Sequence, residues 1–234
     1  HASEATIVRT CKKLGYQGYY HLKIALAKEV INPDNSYPEN TDFSDITSLA
    51  TFLLKKQAED LIQSTQFFNA EVLESILKLL ANCDTIFFFA AGNSNPLAVY
   101  GAYKFSQLGL KTVVHVSPEM QINAAYSMGK RDLAIGISNS GSTNLMVDIF
   151  KVVKERGAKS VCITNYIKSP LSKLSTHQLN TAVSDKIFFE AFDSTRVPAM
   201  GVIDMLVLLF MYKNKAHYEK YRTREEFLGS RFKG

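Results

Sequence analysis

Through the middle of the chain, short apolar runs alternate with stretches whose apolar residues return every three or four positions. The runs Thr85–Ala91, Lys111–Val116, Asp132–Ile137, Ser160–Thr164 and Gln178–Val183 read as five strands, separated mostly by helical stretches. Regular alternation of strand and helix predicts an α/β domain: a five-stranded parallel, doubly wound sheet flanked by helices. Two further helices stand in front of it. Ile46–Ser64 carries Leu49, Phe52, Leu53, Ala58, Leu61 and Ile62 in an amphipathic pattern, and Ala70–Ala81 repeats it. At the start of the chain, Ser3 can cap a helix that Leu14-Gly15 closes, and Leu22, Ala25, Leu26 and Ala27 mark another over Tyr19–Val30. Neither of these helices can bury its stripe alone, so 1–31 reads as the C-terminal part of a small helical domain. The polar segment 32–45 contains two prolines and reads as a linker, with 46–234 as the main domain.

Two of the strands run into polar loops that contain glycine and lead to helices. After Leu133–Ile137 come Ser138, Asn139, Ser140, Gly141, Ser142 and Thr143, and a helical pattern follows from Asn144 to Arg156. A helix start presents unpaired backbone N–H groups and the positive end of a dipole, while hydroxyls add neutral donors and glycine lets backbone come close. Together these suit a phosphate. A simple helix cap would use one hydroxyl, whereas this loop offers four. After the first strand, Ala91, Gly92, Asn93, Ser94 and Asn95 precede Pro96, which is suited to the first helical position with Ser94 or Asn95 as its cap. In sheets of this kind ligands bind beyond the carboxyl ends of the strands, near the point where strand order reverses, so the two loops would share one cleft. The G-x-G-x-x-G spacing of dinucleotide sites is missing, as is the Gly-Lys-Ser/Thr of a P-loop, which argues against a nucleoside triphosphate.

Charge adds a second theme. The net +5 is concentrated at the ends: Arg9, Lys12, Lys13, Lys23 and Lys28 against Glu4 and Glu29 put +3 on the first thirty residues, and the segment from Lys213 carries +4, which leaves the middle at −2. An acidic partner for the termini is one explanation, and solvated helix faces are another. Cys11, Cys83 and Cys162 are odd in number and lack metal-type spacing, so they read as small buried residues in a reducing, cytoplasmic compartment. The longest apolar stretch, Gly201–Tyr212, is broken by Asp204 and is too short to cross a hydrocarbon core of roughly 30 Å. The N-terminus shows no signal-peptide pattern. No membrane partner, metal or cofactor is expected.

The pair Ala90-Ala91-Gly92-Asn93-Ser94 and Ser138-Asn139-Ser140-Gly141-Ser142-Thr143 resembles the SIS (sugar isomerase) domain, a phosphosugar-binding α/β module, over roughly Ala70 to Tyr212. The segment from Ser3 to Tyr19 resembles the recognition helix and following turn of the RpiR-type helix-turn-helix domain. In this order, helix-turn-helix, linker and SIS domain resemble the RpiR family of bacterial transcriptional regulators over essentially the whole chain. The resemblance implies that Ser94, Ser138, Ser140 and Thr143 hold a sugar phosphate, with backbone contacts from Asn139, Gly141 and Ser142 and with Asn93 and Glu190 toward the sugar hydroxyls. It also implies DNA contacts from Ser3, Thr6, Arg9, Lys12 and Lys13, and places Arg196 near the ligand or a subunit interface. Such domains supply further helices before the recognition helix, so an N-terminally truncated chain is expected.

The expected function is therefore a regulator, a homodimer or homotetramer, that senses a sugar phosphate and modulates DNA binding, with no enzymatic activity. The rival is a phosphosugar aldose-ketose isomerase, which needs a general base to move a proton between C1 and C2. His115, Glu119, His177 and Glu190 are its candidates. A sugar-phosphate-binding subunit that regulates another protein is a third reading.

Overall fold

The structure, a computed structural model, describes residues 4–16, 22, 45–182 and 196–232. Ser3, the linker ahead of Asp45, Val183, Glu190, Ser194, Thr195 and most of the helix expected over Tyr19–Val30 lie outside these residues. The described chain falls into two compact units, one up to Lys55 and one from Lys56.

In the first unit, helix α1 spans Glu4–Lys13. It ends as its sequence requires: Gly15 adopts a left-handed φ of 87°, Gly15 N–H donates to Lys12 O (3.1 Å) and Tyr16 N–H to Cys11 O (3.0 Å). These two bonds satisfy carbonyls that the last helical turn leaves open. Cys11 is buried while Thr6, Arg9, Thr10, Lys12 and Lys13 are exposed. Helix α2, Ile46–Ser64, is opened by Asp45, whose carboxylate accepts from Thr47 N–H (3.1 Å), Ser48 N–H (3.0 Å) and the Ser48 hydroxyl (2.6 Å). These bonds, the Ser48 hydroxyl first, hold the Asp45 carboxyl below the usual carboxylate range.

The second unit continues with α3 (Ala70–Asn82), β1 (Ile86–Ala90), α4 (Asn95–Gln107), β2 (Thr112–Val114), α5 (Pro118–Ser127), β3 (Leu133–Ile137) and α6 (Asn144–Glu155). It closes with β4 (Lys159–Thr164), the short α7 (Pro170–Leu174), β5 (His177–Asn180), α8 (Arg196–Lys213) and α9 (Lys215–Phe232). All five strands are parallel, in the order β2-β1-β3-β4-β5. The expected fold class is what the structure shows.

The strands of β1 and β3 are apolar throughout because both faces of the sheet are covered. Alternate residues point to opposite sides. Ile86, Phe88, Leu133, Ile135, Val161 and Leu179 join the core shared with α3, α4 and α8. Phe87, Phe89, Ala134 and Cys162 join the core shared with α5, α6 and α7. Each fully buried phenylalanine contributes roughly 1.5–3 kcal/mol of apolar burial. On the second face Phe89 meets Phe150 edge-on at 6.4 Å between ring centres, and Gly136 provides the space that the Phe150 ring fills.

On the first face α8 is tied to α4 by a half-buried hydrogen bond from Tyr100 Oη to Asp204 Oδ1 at 2.6 Å, which gives a role to the aspartate that interrupts the apolar run. The carboxylate on that hydroxyl pushes the Tyr100 phenol up to about 12. Burial pushes the Cys83 and Cys162 thiols up to about 11, as befits small packing residues. No single described helix is long and apolar enough to cross a membrane.

Candidate ligand cleft

The crevice arises from the winding of the chain. β1 and β3 are neighbours, paired to their ends at Ala90↔Ile137. Beyond that pair the chain leaves β1 for α4 on one face and leaves β3 for α6 on the other. Two loops that diverge from adjacent strand ends stand where sheets of this kind bind their ligands, at the point where the strand order reverses. The sequence-predicted residues of 91–95 and 138–143 all sit on this rim.

The loop after β3 is braced from within and from the side. Ser138 is buried, 4% exposed, and its hydroxyl accepts from Gly141 N–H at 3.2 Å. Gly141 has φ +58°, and a Cβ there would collide with Ser169 and Thr164. Leu171 N–H donates to Gly141 O (2.9 Å), while the Thr164 hydroxyl (3.0 Å) and Asn165 N–H (3.0 Å) both donate to Asn139 O. Thr164, Ser169 and Leu171 thus clamp the loop on the end of β4, and sequence reasoning did not identify them. The pattern Thr164-Asn165 at a strand end, with Ser169-Pro170 as a cap and first helical residue, was the available signal.

Above this frame, Ser140, Ser142 and Thr143 are exposed. The Ser142 hydroxyl donates to Ser140 Oγ at 3.0 Å and Ser142 N–H to the same oxygen at 3.3 Å. Thr143 is the cap residue of α6, yet its side chain makes no capping bond. The first-turn N–H groups of α6 therefore face the loop without the oxygen that a threonine at this position ordinarily supplies. Donors without a built-in acceptor are the chemistry of an anion site.

The loop after β1 forms a 3-10 turn, Gly92–Ser94, with Gly92 at φ +55°. Asn93 is exposed and Ser94 half-buried. The helix begins at Asn95, one residue before the expected Pro96, and the Ser94 side chain makes no capping bond. Asn95 Oδ1 is buried without a hydrogen-bond partner. Gln121 was also missed: from the start of α5 its side chain reaches the end of β1, where Oε1 accepts from Ala90 N–H (3.2 Å) and Nε2 donates to Ala90 O (2.9 Å).

The candidate general bases stand in different places among the described residues. His177 opens β5 at the opposite edge of the sheet, where its Nε2 is 2.8 Å from Ser75 Oγ. Glu119 is exposed and accepts from the Ser117 hydroxyl at 2.7 Å, which holds its carboxyl below the usual range and makes it a weaker base. His115 follows β2 and Glu190 lies outside the described residues. Arg196 is exposed at the start of α8. Among the described residues no group of three or more His, Cys, Asp or Glu side chains is arranged to hold a metal ion.

Residues 79–209 match the SIS domain and residues 1–33 match the helix-turn-helix domain of the rpiR family. An uncharacterized HTH-type transcriptional regulator of Caldanaerobacter subterraneus subsp. tengcongensis is 31% identical over 94% of this chain and 78% of its own length. A second such regulator, from Clostridium perfringens, is 30% identical over 87% of this chain and 74% of its own. Among solved structures, the Vibrio vulnificus NanR protein complexed with ManNAc-6P superposes with a TM-score of 0.78 at 24% identity, covering 100% of this chain and 83% of that one.

Proposed function

Because the chain belongs to the RpiR family of helix-turn-helix transcriptional regulators with a SIS domain, we propose that it binds a sugar phosphate in the cleft at the ends of β1 and β3 and that occupancy alters its affinity for DNA. The observation that carries this reading is the α6 start: a cap threonine that leaves the first-turn donors open, next to the exposed Ser140 and Ser142 hydroxyls. In this reading the phosphate lies on Ser140, Ser142, Thr143 and the loop backbone, Ser138 shapes the loop, and Asn93, Ser94 and Glu190 meet the sugar. NanR, bound to ManNAc-6P, supports the ligand class.

At the other end, Thr6, Arg9, Lys12 and Lys13 of α1, with Ser3, contact DNA. Thr6, Arg9, Thr10 and Lys13 recur at helical spacing and so share one exposed face. A homo-oligomer in the cytoplasm would present two such helices to successive major grooves. In this reading the protein acts as a sensor and not as an enzyme, which is supported by the depressed basicity of Glu119 and by the place of His177 on the edge strand β5.

The test is DNA affinity, by anisotropy on genomic fragments selected by the protein itself, with and without each of a panel of hexose and pentose phosphates. One phosphosugar should change the affinity by about 5- to 150-fold. Equal affinity with every member would remove the gating. Turnover of any member to its aldose or ketose isomer would instead establish the isomerase.

A further inference from the structure

β2 stops early. Its register with β1 runs Ile86↔Thr112, Phe87↔Val113, Phe88↔Val114 and ends there, so the next pair on that side, Ala90 with Val116, has no ladder bond. Ala90 is nevertheless fully buried, and an unpaired buried amide and carbonyl would each be costly. The side chain of Gln121, 0% exposed, fills the gap. Its Oε1 accepts from Ala90 N–H at 3.2 Å, and its Nε2 donates to Ala90 O at 2.9 Å and to Val116 O at 3.4 Å. A primary amide offers one acceptor and two donors, and this site uses all three. The side chain thus stands where a strand's peptide group would stand, between the two backbone segments that diverge.

We infer that Gln121 is a positioning residue of the ligand cleft: by replacing the missing β1–β2 pair it fixes the end of β1 from which the Gly92–Asn95 turn springs. Ala90 is two residues from Gly92, and the turn leans on that strand end through Ser94 N–H to Ala91 O at 3.2 Å. The loop after β3 has its own bracing on β4, through Thr164, Asn165 and Leu171. The two rims of the cleft are therefore held by separate devices, and Gln121 controls the one that faces the part of the ligand away from the phosphate. This role rests on the sugar-phosphate reading of the cleft.

Gln121→Met keeps the length and apolar stem but removes every side-chain hydrogen bond. Amide hydrogen exchange across 90–95 should rise at least about tenfold in this variant while exchange across 138–143 stays as in the wild type, because the lost bonds are buried and local. Calorimetric titration should show inorganic phosphate bound as by the wild type, but a hexose 6-phosphate that the wild type binds should weaken about tenfold or more. A merely structural role would raise exchange throughout the sheet and weaken both ligands together, and that result overturns the inference. Unchanged exchange at 90–95, or unchanged hexose phosphate affinity, overturns it as well. A wild-type chain that binds neither probe removes the sensor reading itself, and the role with it.

Discussion

Gly141 joins two demands that no other residue meets at once: a left-handed backbone at φ +58° and no Cβ where Ser169 and Thr164 already stand. Gly141→Ala should therefore cost about 1–3 kcal/mol of stability in urea denaturation, as overpacking does, and should abolish phosphate binding with it. Thr143 tests function apart from stability. Its hydroxyl makes no capping bond, so Thr143→Val should leave the denaturation midpoint almost unchanged and lower phosphate affinity about tenfold in calorimetry. His177 provides a pH signature. Burial, and then the Lys159 charge, lowers its pKa from the ordinary 6.5, so the unfolded chain binds the proton more readily than the folded one. Its contribution is complete above 6.5 and is lost as pH falls through the lowered folded value. His177→Gln should flatten that part of the stability profile, as measured by denaturation at a series of pH values.

The strands were legible wherever both faces are buried. β1 and β3, apolar at every position, appear within a residue of their expected bounds, because burial on two faces removes the need for any polar residue. The ends of β2 were less legible: Lys111–Val116 shortens to Thr112–Val114, and at its far end Gln121 takes the place of the next pair by reaching Ala90, thirty-one residues earlier. No local pattern announces such a contact. Sequence distance hid Thr164, Ser169 and Leu171, which act on a loop about twenty-five to thirty residues earlier. Packing of α6 on β3 depends on Phe150 above Gly136, and Phe150→Ala should cost about 3–5 kcal/mol in denaturant unfolding. At the other end, α1 closes on Gly15 as its sequence predicts, and its exposed basic residues belong to DNA in the proposed function. Replacing Lys12 or Lys13 with alanine should each lower the slope of log affinity against log salt by about one.

At the scale of the molecule, the expected architecture and family hold, and the strand reversal between β1 and β3 puts the two polar segments noticed in the sequence at neighbouring strand ends, as the proposed site requires. The sequence does not name the sugar of the proposed ligand, since hydroxyl stereochemistry is read by side chains that only the folded chain brings together. The structure assigns tasks within the loop that the sequence treated alike: Ser138 is turned inward to hold Gly141, whereas Ser140, Ser142 and Thr143 face outward. Calorimetric titration of hexose and pentose phosphates into the wild type and into a Ser140→Ala, Thr143→Val double variant tests the central claim most directly. At least one phosphosugar should bind the wild type at one site per chain and bind the folded double variant at least about tenfold more weakly. Binding of none of them, or equal binding by both proteins, would contradict the account.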